Sequence, residues 1–330
     1  MKKFFISLSY FIFVPLLIIG SVELTIYLIK EKIFSEDKLE SIYKVEINDY
    51  AWINTLKCDS LVVLAGSSSV RYGLSCTELN NLSSNSYKYA NIANDARDPI
   101  QTYFIIKNLD FSNISAIYFG LDPWIYAKRY YMHRNKYMYL DFSFKETLNF
   151  SQEHDKSALL KRYKSFFKYV FNTYESSNYK NTTIPFDFGS VALEREAINF
   201  NEPASQWFQT DKYGWSDLQF TYLQKMSVLC QEKQVKFAVF LPPKRRDYCD
   251  IYKNNCASIH HEYVDKIVAT GFNASILGRF DQLDESNDGV NFAEAYHLNK
   301  KGQATYSKLF YEMTHERMTQ FSDKYSWFTN

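Results

Sequence analysis

The stretch LVVLAGSSSVRYGL, residues 61–74, is the most informative part of this sequence about the fold. Its first five residues are apolar, which is typical of a strand buried on both faces of a parallel sheet. Gly66 and three serines follow, and then a segment that can begin a helix. A serine at such a turn presents its hydroxyl at the carboxyl edge of the sheet, beside backbone N–H groups that lack partners. The turn predicts either a nucleophile with an oxyanion site or serines that only cap a helix.

Apolar runs further along the chain extend this pattern. They predict four more strands, at residues 87–93, 115–121, 236–243 and 274–280. Segments with helical periodicity lie between and after them, at residues 99–109, 218–233, 261–271 and 300–318. Strands that alternate with helices predict an α/β fold, in which a parallel sheet carries helices on both faces and binds ligands at the carboxyl ends of its strands. Residues 125–215 lack a strong strand, and we expect them to form a helical insertion.

The N-terminal segment differs from the rest of the chain. Residues 4–22 carry no charge and, at about 1.5 Å per residue, are long enough to cross a bilayer. No small-residue cleavage site follows them, which favours an uncleaved anchor over a secretory signal peptide. Lys2 and Lys3 favour a cytoplasmic N-terminus, which places the remainder in the periplasm or outside the cell. The predicted order is an anchor, a polar connector and an α/β domain, at residues 1–33, 34–57 and 58–330.

Charge and cysteine content narrow the function classes. The formal net charge is +1 without clustered basic residues, which argues against a nucleic-acid partner. No cysteine or histidine spacing is typical of a metal site, so no cofactor is expected. Two cysteine pairs can form disulfides in an oxidising compartment, and a further cysteine is expected to be a buried thiol. They are Cys249 with Cys256, Cys58 with Cys76, and Cys230.

A second motif, FAEAYHLNKKGQATYSKLF, occupies residues 292–310. His297 lies just before a predicted helix that Asn299 can cap. Glu294, three residues earlier, can accept a hydrogen bond from the imidazole and leave the other ring nitrogen free to take a proton from serine. The motif therefore predicts either a catalytic base or a structural histidine.

Together the two segments resemble the SGNH/GDSL hydrolase-like superfamily. The Gly-Ser-Ser variant and the anchor look most like its membrane-anchored branch, which includes the D-alanyl transfer protein of teichoic acids and proteins of alginate and peptidoglycan O-acetylation. The resemblance covers residues 60–310 in the order of the blocks, with specific motifs only at the two ends. It implies a three-layer flavodoxin-like sheet, with Ser68 as nucleophile, His297 as base and Glu294 as the acid that orients it.

The sequence departs from the family pattern at the oxyanion positions. Ala93 and Asn94 stand where the second block has a glycine, and we expect a backbone N–H near them to act with that of Ser68. Asp122 stands where the third block has an asparagine. An ionised aspartate cannot donate a hydrogen bond, and the lost contact is worth about 3 kcal/mol in comparable sites.

Three further features can contact a ligand. Arg71 can bind a carboxylate or a sugar hydroxyl, or face solvent. Trp124 can stack on a sugar ring or be buried under the insertion. Residues 244–246, Lys-Arg-Arg, can bind an acidic glycan, although a solvated loop is the simpler interpretation.

The resemblance and the anchor imply a function. We expect an exported, membrane-tethered serine esterase or O-acyltransferase that adds or removes acyl groups, with acetyl favoured, on a cell-surface polysaccharide. Its partners would be the polysaccharide or its acyl donor, the membrane, and a membrane acyltransferase. The altered oxyanion positions leave an alternative open, a non-catalytic relative that binds glycan or scaffolds an envelope export complex.

Overall fold

In the structure, a computed structural model, the chain divides into two compact units. One unit combines residues 1–45 with 131–177, and the other combines residues 46–130 with 178–330. The structure describes residues 2–33, 35–84, 86–126, 140, 142–153, 155–171, 180–194, 215–245, 265, 267–269, 275–278, 283, 288–294 and 296–315.

The elements of the described residues alternate between helix and strand as the sequence predicts. The helices are α1 Lys2–Ile33, α2 Glu36–Asp49, α3 Ser68–Arg71, α4 Cys76–Leu82, α5 Pro99–Lys107, α6 Phe144–Glu153, α7 Ala158–Phe171, α8 Asp217–Glu232, α9 Asp288–Asn291 and α10 Lys300–His315. The strands are β1 Leu61–Ala65, β2 Lys88–Asn91, β3 Ile114–Gly120, β4 Lys236–Phe240 and β5 Ser275–Leu277. Short 3-10 segments lie at Ala51–Thr55, Phe111–Asn113, Pro123–Tyr126 and Phe186–Gly189.

The first unit contains the N-terminal apolar helix α1. Its stretch Ser9–Leu28 has a mean hydropathy of 2.2 and is long and apolar enough to cross a membrane. A signal sequence near an N-terminus has the same properties, so an uncleaved anchor and its orientation stay predictions.

An ion pair joins the two sequence segments of this unit. Glu23 of α1 pairs with Arg162 of α7 through two hydrogen bonds, at 2.8 Å from Nε and 2.6 Å from Nη2. The remaining terminal nitrogen of Arg162 donates to the carbonyl of Phe142 at 2.6 Å. The Arg162 side chain is only 2% exposed, and each of its three guanidinium nitrogens donates a hydrogen bond within the unit. Two parallel hydrogen bonds of this kind fix the orientation of the carboxylate relative to the guanidinium, because the two planar groups must align.

The second unit is built on a five-stranded sheet in which every described strand pair is parallel. The strand order is β2-β1-β3-β4-β5. Val63 of β1 lies opposite Ala90 of β2 and Ile117 of β3, so β1 is hydrogen-bonded on both sides. The predicted α/β fold with a parallel sheet is therefore confirmed, and the five strands occur where the apolar runs lie. The flavodoxin-like arrangement particular to the SGNH family stays a prediction.

Helices α4 and α10 cover one face of the sheet. Side chains from this face, such as Leu64 and Phe240, form one cluster with Leu79 of α4 and with Tyr306 and Phe310 of α10. Elsewhere, α8 packs against α5 and β4. Residues 34–57, expected to be a connector, contain α2 and the 3-10 segment Ala51–Thr55. Described helices α6 and α7 lie in the predicted insertion between β3 and β4.

Candidate active site

The candidate residues converge on the carboxyl edge of the sheet. The serine turn follows β1, Asn94 follows β2, Asp122 follows β3 and Lys244 follows β4. Because the strands are parallel, their carboxyl ends share one edge, where ligands of open α/β sheets bind.

The serine turn depends on the glycine that directly follows β1. Gly66 has a φ of +139°, a region that disfavours residues with a Cβ. A Cβ at this position would lie 2.8 Å from Cγ2 of Val70 and 3.0 Å from the carbonyl oxygen of Gly120. Ser67 then caps α3, since its hydroxyl oxygen accepts from the N–H of Ser69 at 3.3 Å.

Substitution of Gly66 by Ala is expected to destabilise the second unit by about 1–3 kcal/mol, because it combines an unfavourable φ with a backbone clash. Urea unfolding of the full-length protein in detergent measures the change. Gly20→Ala is the matched control, since a Cβ there meets nothing within 4 Å. Equal stability of the two variants would contradict the argument.

Ser68 differs from its two neighbours in how its hydroxyl is used. Ser67 donates to one carboxylate oxygen of Asp122, and Ser69 donates to the other at 3.0 Å while accepting from Nζ of Lys244 at 2.6 Å. Within the part of the chain that the structure describes, neither the hydroxyl nor the backbone N–H of Ser68 has a hydrogen-bond partner. Its side chain is 5% exposed. Of the three serines, Ser68 alone keeps an uncommitted hydroxyl at the first turn of a helix.

His297 has one engaged and one unengaged ring nitrogen. Nδ1 is hydrogen-bonded to Oε1 of Glu294, as the spacing of the two residues predicts. Nε2 is buried and has no partner among the described residues. The ring packs edge-on against Tyr296 and Tyr72, with centroids 4.4 and 5.0 Å away. A carboxylate on Nδ1 fixes the tautomer in which Nε2 carries a lone pair and can accept a proton.

A tight loop holds this histidine in place. The N–H of Ala293 donates to the carbonyl of His297 at 2.9 Å. Asn299 caps α10 by accepting from the N–H of Gly302 at 2.9 Å, which confirms the predicted cap. These two hydrogen bonds hold the backbone before and after His297.

Tyr72 links the two motifs in space. It lies four residues after Ser68, and residues at this spacing share one face of a helical turn. Its ring contacts His297, so the structure brings the base to the helical turn that begins at Ser68. Burial raises the pKa of the Tyr72 hydroxyl, which donates to Asp95 at 3.2 Å.

Asp122 and Lys244 form a buried ion pair beneath the serine turn. Nζ of Lys244 lies 2.6 Å from Oδ1 of Asp122, and both side chains are 0% exposed. Arg245 is equally buried. The expectation of a solvated loop at residues 244–246 is therefore wrong for Lys244 and Arg245, while Arg246 lies outside the described residues. Asp122 only accepts hydrogen bonds, as predicted, and its carboxylate holds the serine turn.

The expected backbone oxyanion donors are already engaged. The N–H of Ala93 donates to Oδ1 of Asn91 at 2.9 Å, and the N–H of Asn94 donates to the carbonyl of Gly66 at 3.2 Å. An asparagine side chain and the serine-turn backbone thus accept from both of the N–H groups that were expected near an oxyanion.

The Asn94 side chain offers a different donor. Its Oδ1 accepts from Nη1 of Arg71 and from the N–H of Asp95, both at 2.8 Å. These contacts fix the amide and leave Nδ2 without a partner in the described structure. Arg71 also lies 3.4 Å from Asp95 and is about one-third exposed. The side chain of Trp124 lies outside the described residues.

The cysteines among the described residues do not form the expected disulfide bond. Cys58 and Cys76 are free thiols, so the predicted bond between them is wrong. Cys76 is enclosed and accepts a hydrogen bond from Ser190 at 3.4 Å, and burial raises its pKa. Cys230 is a buried thiol, as predicted, with a pKa raised to about 12. Cys249 and Cys256 lie outside the described residues.

Comparison of the sequence with known proteins identifies no relative of this chain. No protein-family model matches the chain, and no curated protein matches it significantly. The described residues also contain no group of three or more metal-ligating side chains. The function of the protein is therefore inferred from the residues at the carboxyl edge of the sheet.

Proposed function

We propose that this protein is a membrane-tethered serine esterase or O-acyltransferase that acts on acyl esters of a cell-surface polysaccharide. The observation that carries the proposal is the combination of an uncommitted Ser68 hydroxyl with an imidazole that Glu294 orients and whose Nε2 has no partner. These are the three roles of a serine nucleophile, its base and the group that positions the base.

The reaction would proceed in two halves. Oγ of Ser68 attacks the acyl carbonyl carbon while His297 takes the serine proton at Nε2. The tetrahedral intermediate then expels the alcohol, which receives that proton, and leaves an acyl ester on Ser68. A water molecule or sugar hydroxyl attacks this ester in the reverse sense, and Oγ regains a proton from His297.

Two donors would stabilise the oxyanion. One is the backbone N–H of Ser68, which lies at the N-terminus of α3 and is not used within the described fold. The other is Nδ2 of Asn94, which replaces the asparagine amide that Asp122 cannot supply. Removing one such donor typically lowers kcat by about 10²–10³-fold, so this pair is significant for catalysis.

The N-terminal helix and the family resemblance bear on where the enzyme acts and on which substrate. An apolar helix long enough to span a membrane and the resemblance to the membrane-anchored branch support an exported enzyme with a cytoplasmic N-terminus. Acetyl is the favoured acyl group, and a membrane acyltransferase that passes acyl groups to Ser68 would be its partner.

A specific observation supports a second candidate. Asp122 in place of an asparagine, and the engagement of the N–H groups of both Ala93 and Asn94, remove the two oxyanion donors that the second and third blocks of such a hydrolase would supply. A non-catalytic protein that binds glycan or scaffolds an export complex would tolerate this loss.

Covalent trapping separates the two functions. Full-length protein in detergent is treated with a fluorophosphonate, and the adduct is located by peptide mass mapping. We expect labelling on Ser68 that is absent from Ser68→Ala and that persists in Ser151→Ala, a matched change in α6. No adduct on folded protein, or equal labelling of Ser68→Ala, would favour the non-catalytic alternative.

A further inference from the structure

A cleft of about 550 Å³ lies at the carboxyl end of β2. Its lining includes Asp49, Arg71 of α3, Asn94 after β2 and residues of the segment 181–194. Cavities that bind small ligands typically measure about 300–1,000 Å³, so the cleft is large enough for one. Arg71 is three residues after the proposed nucleophile Ser68 on the same short helix, although Ser68 is not itself a lining residue.

An exposed aromatic ring forms part of its lining. Phe186 is 94% exposed, although the residues that follow it are firmly held. Asp187 and Phe188 have left-handed φ values of 47° and 48°, which are unusual for residues other than glycine. Asp187 accepts from the N–H of Thr77, and Phe188 packs beside the core with Nζ of Lys88 5.4 Å from its ring centroid. The turn is therefore fixed in a conformation that leaves the Phe186 ring in solvent.

Gly189 fixes the same turn against the sheet. Its φ is +94°, and a Cβ there would lie 2.1 Å from the carbonyl oxygen of Asn91. The turn that displays Phe186 thus approaches the end of β2 closely. The ring has a defined position relative to Asn94, which lies three residues after that strand end.

The polar groups of the cleft suit a ligand rich in hydroxyl groups. The carboxylates of Asp49 and Glu194 are exposed acceptors, and Glu194 also accepts from Nζ of Lys300 at 3.0 Å. Asn181 adds an amide. Carboxylates accept from hydroxyls and amides donate to them. An exposed ring offers an apolar face to the C–H groups of a sugar.

The charge of the cleft argues against an anionic ligand. Among its described lining residues Arg71 is the sole cation, and it is already engaged with Asn94 and Asp95. Two carboxylates, of Asp49 and Glu194, oppose it. Glu194 is itself paired with Lys300 at 3.0 Å, so a phosphate or an acidic sugar would find no unpaired cation among the described lining residues.

We propose that this cleft binds an uncharged sugar residue, with Phe186 stacking on its apolar face and Asp49, Glu194 and Asn181 contacting its hydroxyls. The role of that sugar as the acyl-bearing or acyl-accepting glycan rests on the proposed function. The binding itself does not, because no residue of the acylation step is needed for it.

Saturation-transfer NMR on the full-length protein in nanodiscs tests the proposal, with maltotriose and N,N′,N″-triacetylchitotriose as neutral probes. We expect at least one of them to bind, and Phe186→Ala to weaken that binding by about 3- to 10-fold. Phe167→Ala, a change at another exposed phenylalanine outside the cleft lining, should leave the affinity unchanged. Binding by neither trisaccharide, or equal affinity for Phe186→Ala and wild type, would overturn the proposal.

Ser68→Ala distinguishes this inference from the proposed function. A sugar that binds both wild type and Ser68→Ala through Phe186 supports the cleft even if Ser68 is never acylated. Acylation of Ser68 without binding of either sugar would retain the enzyme and reject the cleft as its sugar site.

Discussion

The His297→Ala variant is expected to acylate Ser68 at least about 10³-fold more slowly than the wild type. Without the imidazole Ser68 loses the base that we propose for it, and a neutral hydroxyl is a weak nucleophile. The rate of p-nitrophenol release from p-nitrophenyl acetate by the full-length protein, followed with the mass of the acyl-enzyme, measures the effect.

His315→Ala is the matched control. His315 is also a partly buried histidine, hydrogen-bonded through Nδ1 to the carbonyl of Tyr311 and stacked on its ring at 4.0 Å. It lies at the C-terminal end of α10, whereas His297 precedes the first turn of that helix. We expect its loss to leave acylation unchanged. A His297→Ala protein that is folded and acylates as fast as His315→Ala would exclude His297 as the base.

The Lys244→Met variant is expected to lose about 3–5 kcal/mol of unfolding free energy. Methionine preserves the length of the side chain but leaves the Asp122 carboxylate buried without its cation. The double variant Lys244→Met/Asp122→Asn should recover much of this loss, because the amide that replaces the carboxylate carries no charge and still bonds the serine turn. Urea unfolding of the three proteins gives the values.

Lys300→Met gives the comparison for an exposed pair. Lys300 lies 3.0 Å from Glu194, and both side chains are more than half exposed. Pairs of this kind are worth at most about 1 kcal/mol. If Lys244→Met and Lys300→Met were equally stable, the pair beneath the serine turn would not contribute as the structure indicates.

The buried strands and the His297 loop are the parts of this fold that the sequence predicts best. Five apolar runs predict the five strands because a strand covered on both faces needs apolar side chains along its length. The contact between Glu294 and His297 and the cap at Asn299 are also predictable, since both join residues that are close in sequence.

The contacts that modify the site could not be predicted from the spacing of residues in the sequence. Lys244 and Asp122 are 122 positions apart, and a lysine in a basic run is normally solvated. The engagement of the Ala93 N–H depends on where the Asn91 side chain turns, which no spacing reveals. Phe186 is one aromatic among 54 tyrosines and phenylalanines, and only its exposure in the structure distinguishes it.

The ion pair between Glu23 and Arg162 makes α1 a structural part of its unit as well as a candidate membrane segment. Proteolytic removal of a leader that ended after α1 would take Glu23 away, so α7 would lose the carboxylate that holds the guanidinium of Arg162. The same holds for a shortened recombinant protein that begins after Ile33. A water-soluble version of this chain would therefore lack a contact that joins the two sequence segments of this unit in the intact protein.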